Sequence, residues 1–459
     1  MITNTKQELS KSSFWEKLDW NWTHTFIAVQ FCLQILLLFP AIGIFRAPIR
    51  VAAFGIGLFF LIWLPKEEKK KHPATVPAVI VLLIMLLQFC LHPYINSITA
   101  ALAQAIMYIA ILSPLFWVRG IKITPHAFES LMFLMWGINV LSTIFGVLQV
   151  YYPGQFQLSL STVIQNNPFQ GENLLITLAN GSQTYRPMGL TDVPGGAATS
   201  GLYALLFGVV IALRNKNPII RILGIVSGGL GLFCIYLTQL RSVLVLAAIS
   251  MIVLTVVLLR VGQIGRATAM IFGTTGLFFG SFLWAIAIGG QSTLERINSL
   301  FAQSPQEVYQ QNRGIFLQET IERLLPQYPL GAGLGRWGMI NSYFGDNTDL
   351  VSQPIWVEIQ WTGWLLDGGL PLIFAYIFTI YFACTTAWKI AINRQLGDFA
   401  LWGGLIFAYD IGVIALTFNY PIFMSQGGMT FWLLNAALFV AANHILNQQS
   451  SNMSDAEEL

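Results

Sequence analysis

Residues 291–338 read QSTLERINSLFAQSPQEVYQQNRGIFLQETIERLLPQYPLGAGLGRWG, and residues 354–369 read PIWVEIQWTGWLLDGG. With the residues between them they form the longest part of the chain that cannot cross a bilayer. This stretch, 291–367, holds 12 of the 45 acidic and basic residues. Loops of this size are functional or disordered. Helix punctuation and aromatic residues favour function here. On both sides lie apolar runs long enough to be membrane helices.

Working outward, hydrophobic residues make up 55% of 459 and charged residues 10%. A soluble domain carries about 25% charged residues. The composition is that of a polytopic membrane protein. A net charge of +3 gives no reason to expect a nucleic-acid partner. Cys32, Cys90, Cys234 and Cys384 all sit in apolar runs, and no pair has metal-ligand spacing. The histidines, His24, His72, His92, His126 and His444, are scattered, so neither a metal nor a cofactor is expected. The polar first twenty or so residues precede a retained span, not a cleaved signal.

An all-α bundle of about twelve spans is predicted, at 24–45, 48–64, 75–91, 96–118, 126–150, 196–214, 218–239, 242–259, 267–289, 366–387, 399–419 and 421–444. Each is long enough for a hydrocarbon core of about 30 Å. Residues 1–23 are then a cytoplasmic segment and 24–289 hold spans one to nine, with an outer loop near 151–195. Residues 290–365 form the large outer loop, 366–444 the last three spans, and 445–459 a cytoplasmic disordered tail. With the N-terminus cytoplasmic, the inner segments hold every lysine and 16 of the 24 basic residues, as the positive-inside rule requires. The eight outer cations are all arginine: Arg46, Arg50, Arg186, Arg241, Arg296, Arg313, Arg323 and Arg336. Arginine without lysine points to geometry as well as charge, because a guanidinium grips carboxylate or phosphate oxygens in a fork.

In the large loop, Ser304, Pro305 and Glu307 read as a helix start with a capping box, and the helix should stop at Leu325, before Pro326. Its apolar residues do not form one stripe, so it packs on two sides or lies on the membrane. Arg323 has Glu319 four residues before it, a favourable local pair. Arg313 has no acid at three or four residues and precedes Gly314, a gap in side-chain cover. It is a candidate for holding an anion; the alternatives are a surface arginine in water or a pair with a distant acid.

Arg186, in YRPMGLTDVPGG, sits before tight turns whose small residues would admit a ligand, or it snorkels at an ordinary loop–helix junction. Arg241, in LTQLRSV, lies at a two-residue turn near the bilayer surface and has the same alternatives. Three outer arginines on one surface would suit a diphosphate. Glu358 is a candidate proton acceptor or a solvated interfacial acid, and Asp367 reads as interfacial too. Asp410, mid-span, is a functional candidate or a helix-packing hydrogen bonder. The run GAGLGRWG does not follow a strand and precede a helix as a nucleotide fingerprint would, and reads as a turn-rich linker.

The stretches RPMGLTDVPGGAATSGLYAL, LTQLRSVLVLAA, NRGIFLQETIERLLPQYPLGAGLGRWG and LLDGGLPLIFAYI, in that order and on one membrane side, resemble the O-antigen ligase and O-antigen polymerase superfamily of bacterial envelope glycosyltransferases. The resemblance covers roughly residues 100–445. It implies about twelve helices, a large extracytoplasmic loop, and metal-independent, inverting transfer of a glycan from a polyprenyl-diphosphate carrier to a hydroxyl of a lipid or glycan acceptor. It implies a cytoplasmic (inner) membrane location with both termini cytoplasmic. By that likeness Arg186, Arg241 and Arg313 hold the diphosphate. The family usually has a histidine about nine residues before an acid that precedes glycine. Here Asp367 is the acid and Glu358 stands in the histidine's place, the candidate base. The rival readings are a transporter or transport-associated protein, to which names in this superfamily also point through inorganic carbon uptake, and a structural envelope protein.

Overall fold

Polar caps and prolines set several helix starts in the computed structural model, which describes residues 19–65, 70–157, 174–302, 307, 309–346, 348–349, 351 and 353–457. Asn21 caps helix α1 (Trp22–Leu36) by accepting the Thr23 N–H at 3.0 Å. Helices α2 (Arg46–Trp63) and α3 (Thr75–Leu91) follow. Ser97 caps α4 (Ile98–Leu112), which bends by 42° into Pro114–Gly120. The bend falls where Pro114 has no N–H to continue the ladder. Thr124 caps α5 (Pro125–Tyr151), with proline in the first turn, where its missing N–H costs nothing.

A small antiparallel ribbon, β1 (Leu175–Thr177) with β2 (Gln183–Tyr185), pairs Leu175 with Tyr185. It precedes α6 (Ala197–Arg214), α7 (Pro218–Thr238) and α8 (Arg241–Arg260). The two residues between α7 and α8 are Gln239 and Leu240, with Gln239 left-handed at φ +56°. This is the tight turn the sequence predicts. Helix α9 (Ile264–Ala302) is apolar to Gln291 and breaks at Gly290.

Beyond it, α10 covers 310–327 with wide turns at Gln310–Gly314 and Thr320–Leu324. The expected stop before Pro326 is therefore displaced to Gln327. The wide turn just before Pro326 loosens the ladder where the ring would strike a carbonyl. The predicted cap at Ser304 and Pro305 lies outside the described residues. A seven-residue helix α11 (Gly338–Phe344), then α12 (Gln360–Ile392), α13 (Ala400–Leu416) and α14 (Gln426–Glu457) complete the chain. Helix α12 starts six residues before the predicted span. The expected disordered tail instead continues α14 to Glu457, because propagating an existing helix is far easier than nucleating one.

The chain is a multi-pass membrane protein. Among the described residues nine helices are long and apolar enough to cross a bilayer, ten if the bent α4 and Pro114–Gly120 make one span. The apolar helices α1 and α3, of 15 and 17 residues, are shorter. Helices α6, α13 and α14 are mostly enclosed, while α2 and α9 turn most of their residues outward. Backbones approach closely between α6 and α7: a Cβ on Gly201 would lie 2.6 Å from the Gly231 carbonyl oxygen. Small residues at such seams let membrane helices pack by van der Waals contact. The Trp136 indole donates to Ser227 at 2.9 Å and the Tyr203 hydroxyl to Tyr409 at 3.0 Å, tying α5 to α7 and α6 to α13. Trp364, Tyr376, Phe423, Phe431 and Trp432 form a buried aromatic knot between α12 and α14.

Helix α12 is itself broken at Gly369, with φ +66°. The break releases backbone groups that must find partners at this depth. Residues 328–337 supply them as a strap: Leu370 N–H donates to Pro329 O at 2.9 Å, and Ala332 N–H to Leu366 O at 2.7 Å. Gln88 Nε2 donates to Leu330 O at 2.6 Å. His92 accepts the Tyr94 N–H on Nδ1 at 3.2 Å, so its Nε2–H is free to donate to Gly331 O, also 3.2 Å away. Gly333, at φ +104°, sits so close to the Tyr94 carbonyl that any Cβ would collide with it. The glycine run is turn-rich, as its sequence reads, and is packed as a strap.

Asp367 clasps this strap. It is 0% exposed, which corrects the interfacial reading. The Trp337 indole donates to its Oδ1 at 2.9 Å, while Gln104 Nε2 and the Tyr108 hydroxyl donate to Oδ2 at 2.7 and 2.8 Å. Replacing Asp367 with asparagine turns an NH2 toward one of these donors. The substitution should cost about 1–3 kcal/mol and raise hydrogen exchange across 328–337. Thermal unfolding in detergent and exchange mass spectrometry check this; wild-type behaviour in both would refute the clasp.

Candidate functional site

The strap passes its register to the next segment. The Ile355 N–H donates to Arg336 O at 2.9 Å, and the buried Arg336 guanidinium donates to Ala332 O and Gln353 O, each at 2.9 Å. Arg336 is therefore a structural arginine. Residues 353–358 form neither helix nor strand, and burial alternates along them, with Ile355 and Val357 more covered than Pro354 and Trp356. Ile355 and Val357 pack on the core and Ile359 is buried. The Trp356 indole donates to Glu358 Oε1 at 2.9 Å.

Helix α10 brings Arg313 to the same carboxylate, as an ion pair on Glu358 Oε2. Of the alternatives open for Arg313 in the sequence, the pair with a distant acid is the one found. Two of the four candidate residues, 45 positions apart, thus meet. The Arg313 Cζ also lies 5.9 Å from the centre of the Phe316 ring. The expected gap at Gly314 is filled: a Cβ there would meet Gln310 Oε1 at 2.8 Å and Tyr309 Cδ1 at 3.0 Å. Burial holds the Arg313 pKa below its ordinary value, yet a guanidinium stays charged at neutral pH. The Arg313 side chain is 36% exposed and that of Glu358 22%, so solvent and counter-ions still reach both.

Arg186 and Arg241 flank a second contact. The loop after Arg186 is templated by Gln149 on α5, 1% exposed. Its Oε1 accepts the N–H groups of Met188 and Gly189 at 2.8 and 2.9 Å, and its Nε2 donates to Gly189 O at 3.0 Å. Pro187 O accepts the Gly195 N–H at 3.1 Å. The bare backbone of Gly195 packs against Leu240, the residue before Arg241. Gly189 and Gly196 are packed as closely, against Ser142 and Thr191. Both arginines are half-buried, and Arg50 pins the loop from α2 through Asp192 at 2.5 Å.

Arg50 also lies 3.7 Å from Met339 Sδ, just after the strap, so it touches both the loop that follows Arg186 and helix α11. The Gln360 N–H donates to Thr417 O at 3.0 Å, the Ala179 N–H to Ile288 O at 3.0 Å and the Asn96 side chain to Asp346 O at 2.8 Å. Asp410 is mid-helix on α13 and 0% exposed. Its Oδ1 accepts from Asn435 Nδ2 at 2.8 Å, which fits the helix-packing alternative, while Oδ2 has no hydrogen-bond partner among the described residues. Among those residues no three His, Cys, Asp or Glu side chains gather as a metal would need.

No family model and no curated protein matches this chain. What the site can do is therefore argued from its residues. Sequence reasoning had selected Arg313 and Glu358 separately. It missed Trp356, whose signal was the alternation in IWVEI, and Arg50–Asp192, which carries no local signal.

A half-exposed ion pair contributes about 0–1 kcal/mol, so stability is a poor reason to hold Arg313 against Glu358. A thermal-unfolding cycle through Arg313→Ala, Glu358→Ala and the double variant should give a coupling below about 1 kcal/mol. A coupling of several kcal/mol would make the pair a structural strut.

Proposed function

We propose that this protein is a metal-independent, inverting glycosyltransferase of the bacterial inner membrane. It moves a glycan from a polyprenyl-diphosphate carrier to an acceptor hydroxyl on the outer face. In this reading α1 and α3 also cross, completing twelve spans. Both termini are then cytoplasmic and Arg313, Glu358, Arg186 and Arg241 lie on the outer side, as the lysine distribution favours.

The observation that carries the reading is the meeting of Arg313 with Glu358. A guanidinium and a carboxylate side by side supply what the reaction needs on its two sides. The acceptor oxygen attacks the anomeric carbon, the bond from that carbon to the diphosphate oxygen breaks, and its electron pair leaves with the diphosphate. Arg313, with Arg186 and Arg241, offsets the charge that grows there. The acceptor proton goes to Glu358. While paired, Glu358 has one oxygen taken by Arg313 and the other by Trp356. A diphosphate is a stronger claimant for the guanidinium fork, so donor binding would draw Arg313 away and raise the proton affinity of Glu358. The base would become competent when the donor is in place.

A transport reading has two features of its own in support: a span broken at Gly369 and an acid, Asp410, held in the bundle interior, both shared with solute pathways. Solute flux in proteoliposomes with no glycan product would favour it.

Arg313→Ala should lower glycan transfer at least about a hundredfold while leaving membrane insertion intact. Arg313→Lys should recover little, because an ammonium cannot form the fork. Transfer by Arg313→Ala at the wild-type rate, measured with lipid-linked glycan in vesicles, would remove the proposal.

A further inference from the structure

Trp356 is 67% exposed beside Glu358. An indole at a membrane surface is commonly an interfacial anchor, with its N–H turned to water and headgroups. Here the N–H is taken: it donates to Glu358 Oε1 at 2.9 Å. That bond fixes the ring relative to the carboxylate and leaves ring surface open. The other carboxylate oxygen meets Arg313. The three groups therefore stand in a row, guanidinium, carboxylate, indole, with the carboxylate in the middle.

The order of the row has chemical content. The guanidinium end suits a phosphate. The indole end offers an apolar π surface beside a hydrogen-bond acceptor. A pyranose ring matches that surface: one face is largely C–H and lies flat on an aromatic ring, and the rim is hydroxyl. A sugar stacked on Trp356 would direct a rim hydroxyl at Glu358, with the donor phosphate on the far side of the same carboxylate. We infer that Trp356 is the platform for the sugar ring that accepts the glycan. This rests on the glycosyl-transfer reading above and assigns the acceptor side of that site.

The test uses the full-length protein in lipid nanodiscs and two soluble probes. One is inorganic pyrophosphate. The other is the oligosaccharide pool released by mild acid from the lipid-linked glycans of the producing cell and labelled at the reducing end. Trp356→Ala should bind the oligosaccharides about tenfold more weakly and pyrophosphate as wild type does, while Trp356→Phe keeps most saccharide affinity. Arg313→Ala should do the reverse, losing pyrophosphate and keeping saccharide. Wild-type saccharide affinity in Trp356→Ala overturns the inference alone. So does a Trp356→Ala defect confined to membrane partitioning, which would make the residue a lipid anchor. A wild-type protein that binds neither probe overturns the glycosyl-transfer reading itself.

Discussion

A broken helix inside a membrane protein must have its freed backbone groups satisfied by protein, and that requirement organises one region of this molecule. The break at Gly369 is closed by residues 328–337, and the Asp367 carboxylate fastens that strap through Trp337. From Trp337 the order passes to Arg336, whose main chain and side chain fix Ile355 and Gln353. The indole of Trp356 then donates to Glu358, and Glu358 receives Arg313. A buried carboxylate is thus connected, through hydrogen bonds and the short stretches of main chain between them, to a row of polar and aromatic groups that solvent reaches.

The division of labour between bundle and loops is sharp. Close backbone approach at Gly201 and Gly231 and the aromatic knot around Trp364 and Phe423 make a rigid body. Buried polar groups help to hold the segments beside the candidate residues: Gln149 the loop of Arg186, Asp367 the strap before Glu358. Functional residues on loops positioned by a rigid scaffold are the usual arrangement. Under the proposed function it would let Arg313 exchange partners without disturbing the core, since its ion pair stays open to solvent.

The sequence made legible whatever depends on neighbours along the chain. Hydropathy located the long spans. The Gln239–Leu240 turn followed from two apolar runs with almost nothing between them. The Glu319–Arg323 pair is present as the spacing of four predicts. What depended on distant contacts was hidden. Asp367 looked interfacial because it borders an apolar run, yet its three donors come from α4 and the strap. Gly314 looked open because the covering Tyr309 and Gln310 side chains fold back over it. The acid paired with Arg313 lay 45 residues away, beyond any local rule, and α14 ran on past its apolar residues because an established helix propagates cheaply.

The account turns on whether Arg186, Arg241 and Arg313 serve one diphosphate. An experimental structure of the protein in lipid with a bound, non-transferable polyprenyl diphosphate measures this directly. The account predicts the diphosphate in contact with all three guanidinium groups, with Arg313 withdrawn from Glu358. A diphosphate seated elsewhere, or Arg313 still on Glu358 with the ligand bound, would contradict it.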